Sequence, residues 1–111
     1  MNTDTITLRV LCHKEEQSQD YLAQCLEYDL VAQGATVSEA IKAFVELLVA
    51  RFEVGAELKV HPLKNVPPAP KRYFALFESA ELQVNGSGLD KALLPHVAAH
   101  ALHSTLEARV I

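Results

Sequence analysis

The sequence lacks the features that several functional classes require. It has 111 residues with only two cysteines and four glycines, and its 10 Lys and Arg are outnumbered by 14 Asp and Glu. The cysteines form no Cys-x-x-Cys pair, and no glycine-rich loop joins a strand to a helix as phosphate sites require. The net charge of −4 argues against a general nucleic-acid binder, which normally carries positive charge.

Membrane and secretion signals are also absent. No apolar run approaches the roughly 18 residues of a membrane span, and the polar residues 1–5 do not resemble a signal peptide. We therefore expect a cytoplasmic protein that does not bind membranes and keeps Cys12 and Cys25 as free thiols. His13 and Cys25 are a candidate pair for nucleophilic catalysis, but a buried structural cysteine fits an apolar strand better.

Hydrophobic periodicity predicts an α+β fold, in which a small antiparallel sheet of three to four strands carries one long amphipathic helix. Ile6 to Cys12 alternates as half-buried strands do. Tyr21 to Val31 is either two short strands joined by a tight turn or one strand with a bulge. Thr36-Val37-Ser38-Glu39 matches a capping box, so a helix should run from Val37 to about Phe52 with its apolar face on the sheet.

Negative charge is concentrated in the first half of the chain. Residues 1–56 carry four basic and nine acidic side chains, whereas residues 57–111 carry six basic and five acidic ones. Lys42, Glu46 and Glu53 fall on the face of the predicted helix that is opposite its apolar stripe. The acidic half is either an ordinary solvated surface or a face for a basic partner.

Prolines divide the middle of the chain. Leu58 and Val60 are extended in character, and Pro67, Pro68 and Pro70 then exclude a regular helix or a central strand. Pro70 suits the first turn of a second helix with one aromatic face, made of Tyr73, Phe74 and Phe77. Four cations without an intervening acidic residue form a solvated loop or a phosphate-binding strip, and these are Lys59, Lys64, Lys71 and Arg72.

The C-terminal part predicts additional helices and contains a histidine cluster. Leu89 to about His103 has helical character, and residues 104–111 fit either a strand or a continued helix. His96, His100 and His103 are candidate metal ligands at helical spacing, in line with Glu107. That line would face solvent, whereas zinc sites are shielded. We therefore expect no metal and no cofactor, and interpret the cluster as a surface or oligomer contact.

Residues 21–40 contain an ordered pattern. An extended segment is followed by Gln33-Gly34-Ala35-Thr36, and then by Glu39-Ala40 where the predicted helix opens. This pattern is similar in order and spacing to that of the HicB-like antitoxin family. The strand at Ile6 to Cys12 lies where the first strand of that family lies, and the resemblance covers about residues 5–80.

The resemblance implies a partly degraded ribonuclease-H-like fold of three antiparallel strands, a helix across them and often a fourth strand, without nuclease activity. It implies a small basic HicA-type toxin that cleaves RNA as the partner, and assembly as a homo-oligomer. Many members also carry a DNA-binding module. DNA binding is not expected here, because Lys91 and Arg109 are the only cations between Leu82 and Ile111.

These observations lead to three functional hypotheses. Residues 1–81 should form the HicB-like domain, and residues 82–111 a partly helical extension that packs on it or mediates oligomerisation. The favoured function is non-enzymatic binding of a small basic RNase toxin through Glu27, Tyr28 and Asp29. The alternative is an orphan HicB-like oligomerisation or interaction domain without a toxin partner. The third hypothesis is a metal-dependent enzyme that uses the C-terminal histidines.

Overall fold

A computed structural model describes residues 4–80, 82–84 and 102–111, which form a mixed five-stranded sheet with a helix on each face. The elements in chain order are β1 (Asp4–Lys14), β2 (Tyr21–Cys25), β3 (Val31–Gly34), α1 (Val37–Leu58), α2 (Lys71–Ser79), β4 (Leu82–Val84) and β5 (Leu102–Val110). The strand order across the sheet is β3-β2-β1-β5-β4. Strands β1, β2 and β3 are antiparallel neighbours, β5 runs parallel to β1, and β4 runs antiparallel to β5.

The α+β class is confirmed, but the prediction of three to four strands is wrong. The segment from Tyr21 to Val31 contains β2, a turn and the start of β3. The interpretation as two short strands joined by a turn is therefore confirmed. The additional strands, β4 and β5, come from the C-terminal part of the chain, which was expected to be helical in part and in which residues 104–111 fitted either a strand or a helix. Their pairing depends on residues distant in sequence, so local periodicity did not reveal it.

Helix α1 begins where the capping signal places it and ends later than predicted. The Thr36 hydroxyl accepts the Glu39 N–H at 3.1 Å, and the Glu39 carboxylate accepts the Ala35 N–H at 3.2 Å. The helix continues through Gly55 to Leu58, and Lys59 ends it in the left-handed conformation at φ 56°. The predictions of a stop near Phe52 and of an extended Leu58 are therefore wrong.

The main core lies between α1 and one face of the sheet. Alternate residues of β1 and β2 supply the sheet side, and these are Leu8, Val10, Cys12, Ala23 and Cys25. The apolar stripe of α1 supplies the other side with Ala40, Ile41, Phe44, Val45, Leu48 and Phe52. This packing confirms the predicted face of α1, because the buried positions recur every three to four residues.

The opposite face of the sheet is covered by α2. Residues 66–70 run beside the β2–β3 turn, where the Ala69 N–H donates to the Leu26 oxygen at 2.8 Å. Phe77 then packs with Leu11 and Leu26 in a second cluster, in which all three side chains are buried. Strand β1 is therefore covered on both faces. Leu11 is buried, whereas the alternation in β1 predicted a half-buried strand.

The structure also answers the question about the C-terminal residues. Residues 102–110 form β5, which is paired with β1 over Asp4 to Cys12 and lies inside the sheet. The predicted helix from Leu89 to about His103 lies outside the described residues up to residue 101, and His103 belongs to β5. Within the described ranges, no helix is long and apolar enough to cross a membrane.

Candidate interaction site

The β2–β3 turn holds the three residues predicted to bind a partner, and its first carboxylate is already occupied. Glu27 forms an ion pair with the Arg9 guanidinium, and its Oε1 accepts the Arg9 backbone N–H at 2.8 Å. Its side chain is only 20% exposed. The contact continues the pairing of β1 beyond β2, because the Leu26 N–H also donates to the Arg9 oxygen at 2.8 Å. Glu27 is therefore a structural anchor of the turn.

Asp29 is exposed and belongs to a hydrogen-bonded chain of polar side chains. Its Oδ1 accepts the Gln24 amide N–H at 2.9 Å, and the Gln24 Oε1 lies 3.2 Å from the His13 Nε2. Since the Gln24 amide nitrogen donates to Asp29, its oxygen is the acceptor for His13, and we assign the proton of His13 to Nε2. The His13 ring stacks on Tyr73 of α2, with ring centroids 5.8 Å apart.

Tyr28 belongs neither to the ion pair of Glu27 with Arg9 nor to the hydrogen-bonded chain that contains Asp29. It is half-buried and packs against the main core on the α1 side of the sheet. The Asp29 N–H donates to the Pro67 oxygen at 2.7 Å, which holds the turn against the proline segment. The structure thus places the three predicted residues in different surroundings, and only Asp29 presents an exposed carboxylate.

Arginines join α2 to the sheet through the aromatic face that the sequence predicted. The Arg9 guanidinium lies 5.1 Å from the centre of the Phe74 ring, and that of Arg109 lies 4.5 Å from the Phe77 ring. Arg109 also donates from Nη1 to the Phe77 oxygen at 3.0 Å. Cation–π contacts of this kind stabilise packing when the cation is partly desolvated. The sequence did not reveal these contacts, because each arginine is more than 30 residues away from its aromatic partner.

A hydrogen bond and an ion pair hold Glu107 on the same face of the sheet. Gln83 donates to its Oε1 at 2.8 Å, and the Arg109 Nη2 lies 2.9 Å from the same oxygen. The hydrogen bond from Gln83, followed by the contacts with Arg109, lowers the pKa of the Glu107 carboxyl. This carboxylate therefore stays ionised and oriented beside Arg109.

The outward face of α1 carries carboxylates that are not neutralised. Glu46, Glu53 and Glu57 are exposed, and none has an ion pair or a hydrogen bond with a described residue. Glu46 and Glu53 lie on the face that the sequence predicted. Glu57 was missed because the helix was expected to end before it, although its spacing continues the same stripe. These three residues, the acidic stripe, form an acidic surface that is open to a cationic partner.

The candidate nucleophiles are not brought together. Cys25 lies on the α1 side of the sheet, whereas His13 lies on the α2 side. Cys12 and Cys25 are free and buried although their strands are neighbours, and burial raises the pKa of each thiol to about 11. Because the thiolate is the reactive form, neither cysteine is set up as a nucleophile at neutral pH.

The histidine cluster is not held on one continuous helix. His96 and His100 lie outside the described residues, and His103 and Glu107 lie in strand β5. The helical spacing predicted for His103 and Glu107 is therefore wrong, because residues 102–110 form a strand. No group of three or more metal-ligating side chains is present in residues 4–80, 82–84 and 102–111.

Comparisons with known proteins do not assign this site. The sequence matches no family model, no curated protein and no solved structure.

Proposed function

We propose that this chain is a protein-binding domain without enzymatic activity, similar in role to a HicB-like antitoxin that neutralises a small basic HicA-type RNase toxin. The observation that carries the proposal is the acidic stripe on α1, whose three exposed carboxylates form no ion pair with a described residue. The element order also supports it, since three antiparallel strands are followed by a helix that packs on them.

Electrostatics gives the acidic stripe a defined effect on binding. Exposed carboxylates steer a cationic partner toward the helix and raise the association rate, and salt screens this effect. Asp29 adds an exposed carboxylate at the β2–β3 turn. Glu27 and Tyr28 contribute by holding the turn in shape, because their side chains contact Arg9 and the main core.

The test is to isolate the partner and to measure inhibition. The tagged chain is purified from its native cells at low salt, and any stoichiometric small basic protein is then produced separately. We expect this protein to cleave RNA, and the chain to abolish the cleavage at a one-to-one ratio. Failure to find such a protein, or a partner whose RNase activity the chain leaves unchanged, would contradict the proposal.

Matched charge reversals locate the contact. Glu53→Lys should slow association by about tenfold at low salt with little change in dissociation, as expected for steering charges. Glu16→Lys makes the same change in net charge on the exposed β1–β2 connection and should have a much smaller effect. Asp29→Asn keeps an oxygen for Gln24 and removes only the charge at the turn. Equal rates for Glu53→Lys and Glu16→Lys would exclude the acidic stripe.

One observation favours a second candidate, an orphan oligomerisation domain. Strand β3 pairs only with β2 among the described strands, and Val31 on it is 45% exposed. A second copy could extend the sheet there, whereas β5 already lies between two strands. Light scattering should then show a dimer that Val31→Lys converts to a monomer, and a monomeric wild-type chain would exclude this candidate.

A further inference from the structure

A hollow of about 440 Å³ opens beside the last turns of α1. One wall is α1 itself, and the other is the loop over residues 59–66 that leads toward α2. The volume lies within the range of small-molecule sites, roughly 300 to 1,000 Å³. The proposed toxin-binding role does not use this hollow, and no residue of the β2–β3 turn lines it.

Part of the wall is apolar and unusually exposed. Val54 on α1 is 53% exposed and Val60 on the loop is 42% exposed, and both line the hollow together with Ala50 and Pro62. Burying such surface under a ligand is favourable in proportion to the apolar area removed from water. The walls therefore suit the apolar body of a ligand.

The remaining wall is cationic and contains an unsatisfied donor. Arg51 lines the hollow, and its Nε is out of contact with solvent and has no hydrogen-bond partner among the described residues. Such donors are rare, because leaving one unmade costs free energy, so a rotation of Arg51 that gives its guanidinium an acceptor in the hollow is favoured. Lys64 and His61 line the other wall, and no described carboxylate lines the hollow.

The loop wall is held in shape before any ligand binds. The His61 Nδ1 accepts the Leu63 N–H at 3.1 Å, so we assign the proton of His61 to Nε2, where it is available to an acceptor. Leu63 is 2% exposed and anchors the loop in the main core. The Lys64 N–H donates to the His61 oxygen at 3.2 Å, which places the two polar side chains on one turn.

We propose that this hollow binds a small organic anion. Its carboxylate or phosphate head would lie between Arg51 and Lys64, and its apolar body against Val54 and Val60. The Arg51 Nε is covered, so the guanidinium has to rotate toward the hollow before it can bind the anion. The negative end of the α1 dipole opposes an anion. This opposition is reduced because the Gly55 oxygen, in the last turn of α1, already accepts the Val60 N–H at 3.0 Å.

A titration with four probes tests the proposal on the full chain labelled with ¹⁵N. Octanoate and phenyl phosphate combine an anionic head with an apolar body, whereas 1-octanol lacks the charge and inorganic phosphate lacks the body. We expect saturable shifts of backbone amide signals over residues 50–65 with octanoate or phenyl phosphate, and the preferred probe distinguishes the two head groups. The two incomplete probes should bind at least about tenfold more weakly.

Variants connect the shifts to the named side chains. Arg51→Met and Lys64→Gln should each weaken binding of the preferred probe by about tenfold. Lys42→Gln removes a lysine from the opposite face of α1 and should leave binding unchanged. Lys64 is exposed, so its variant remains informative if Arg51→Met fails to fold.

Three results would overturn the proposal. The first is the absence of saturable shifts at residues 50–65 with all four probes. The second is equal affinity for octanoate and 1-octanol, which would make the hollow a purely apolar site. The third is unchanged binding in Lys64→Gln.

Discussion

Arg9 on the central strand and Glu27 in the β2–β3 turn are joined by two contacts with a single carboxylate. Glu27 pairs with the Arg9 guanidinium, and it also accepts the Arg9 backbone N–H at 2.8 Å. The same arginine lies over Phe74 of α2. One ion pair therefore connects the sheet, the turn and the second helix, although the sequence suggested that Glu27 faces a partner.

Removal of Glu27 should destabilise the fold before it affects any partner. Glu27→Ala leaves the Arg9 N–H without its acceptor and the guanidinium with only the exposed Glu78 carboxylate, 3.6 Å from its Nη1. We expect a loss of about 1 to 3 kcal/mol in the free energy of unfolding. Glu27→Gln keeps one acceptor and should lose less. Urea unfolding measures both, with the exposed Glu46→Gln as the control. A loss no larger in Glu27→Ala than in Glu46→Gln would contradict this role.

Gly34 should tolerate no side chain. A Cβ at this position would lie 2.6 Å from the Glu39 carbonyl carbon and 2.9 Å from the Ala40 Cα, which are backbone atoms of α1. Gly34→Ala should therefore push the first turn of α1 away from β3 and destabilise the protein by about 3 kcal/mol, the upper part of the range for overpacked cores. Thermal unfolding tests this, and the exposed neighbour Ala35→Ser should change the midpoint little.

Phe77 should account for most of the stability that α2 adds. It is 1% exposed, and Phe77→Ala should cost about 3 to 5 kcal/mol, as large-to-small aromatic substitutions do in cores. Leu76 on the same helix is 39% exposed, so Leu76→Ala should cost far less. Denaturant unfolding of the two variants compares them directly. Equal losses would show that α2 does not cover the sheet as described.

The buried thiols should make stability fall at alkaline pH. Burial raises the pKa of Cys12 and Cys25 to about 11, whereas the pKa of an unfolded cysteine is about 8.5. The folded state holds these protons more tightly, so their contribution is complete below about pH 8.5 and is lost as the pH rises toward 11. Each thiol contributes a slope of up to about 1.4 kcal/mol per pH unit in that window.

Replacement of the thiols isolates this slope from that of Lys and Tyr groups. The double variant Cys12→Val and Cys25→Val should unfold with a flatter pH dependence between about pH 9 and 11. Urea unfolding at several pH values measures the difference. Parallel curves for the variant and the wild-type chain would show that the thiols do not titrate differently in the two states.

Local signals in the sequence predicted some elements well. Thr36 and Glu39 marked the start of α1, since a capping box acts within four residues. The alternation around Val10 identified β1, and the aromatic spacing from Tyr73 identified the face of α2 that packs on the sheet. The prolines correctly excluded a helix between α1 and α2.

Non-local contacts explain the failures. Nothing near Leu11 shows that α2 will cover it, and nothing near Glu27 shows that Arg9 lies beside it. Arg51 and Lys64 likewise face one hollow only because the loop folds back along α1. The candidate sites depend on these contacts, so they were predicted less well than the elements that carry them.

The sequence by itself determined the first strand, the start of the long helix and the break before the second helix. Alternation, capping and prolines act over a few neighbouring residues, so these features can be predicted locally. Only the tertiary structure decided which charges remain available. It paired β5 with β1 and placed α2 on the second face of the sheet. It also brought Arg9 to Glu27, which neutralises that carboxylate, and left the carboxylates of α1 exposed, since burial and ion pairing depend on residues far apart in the chain.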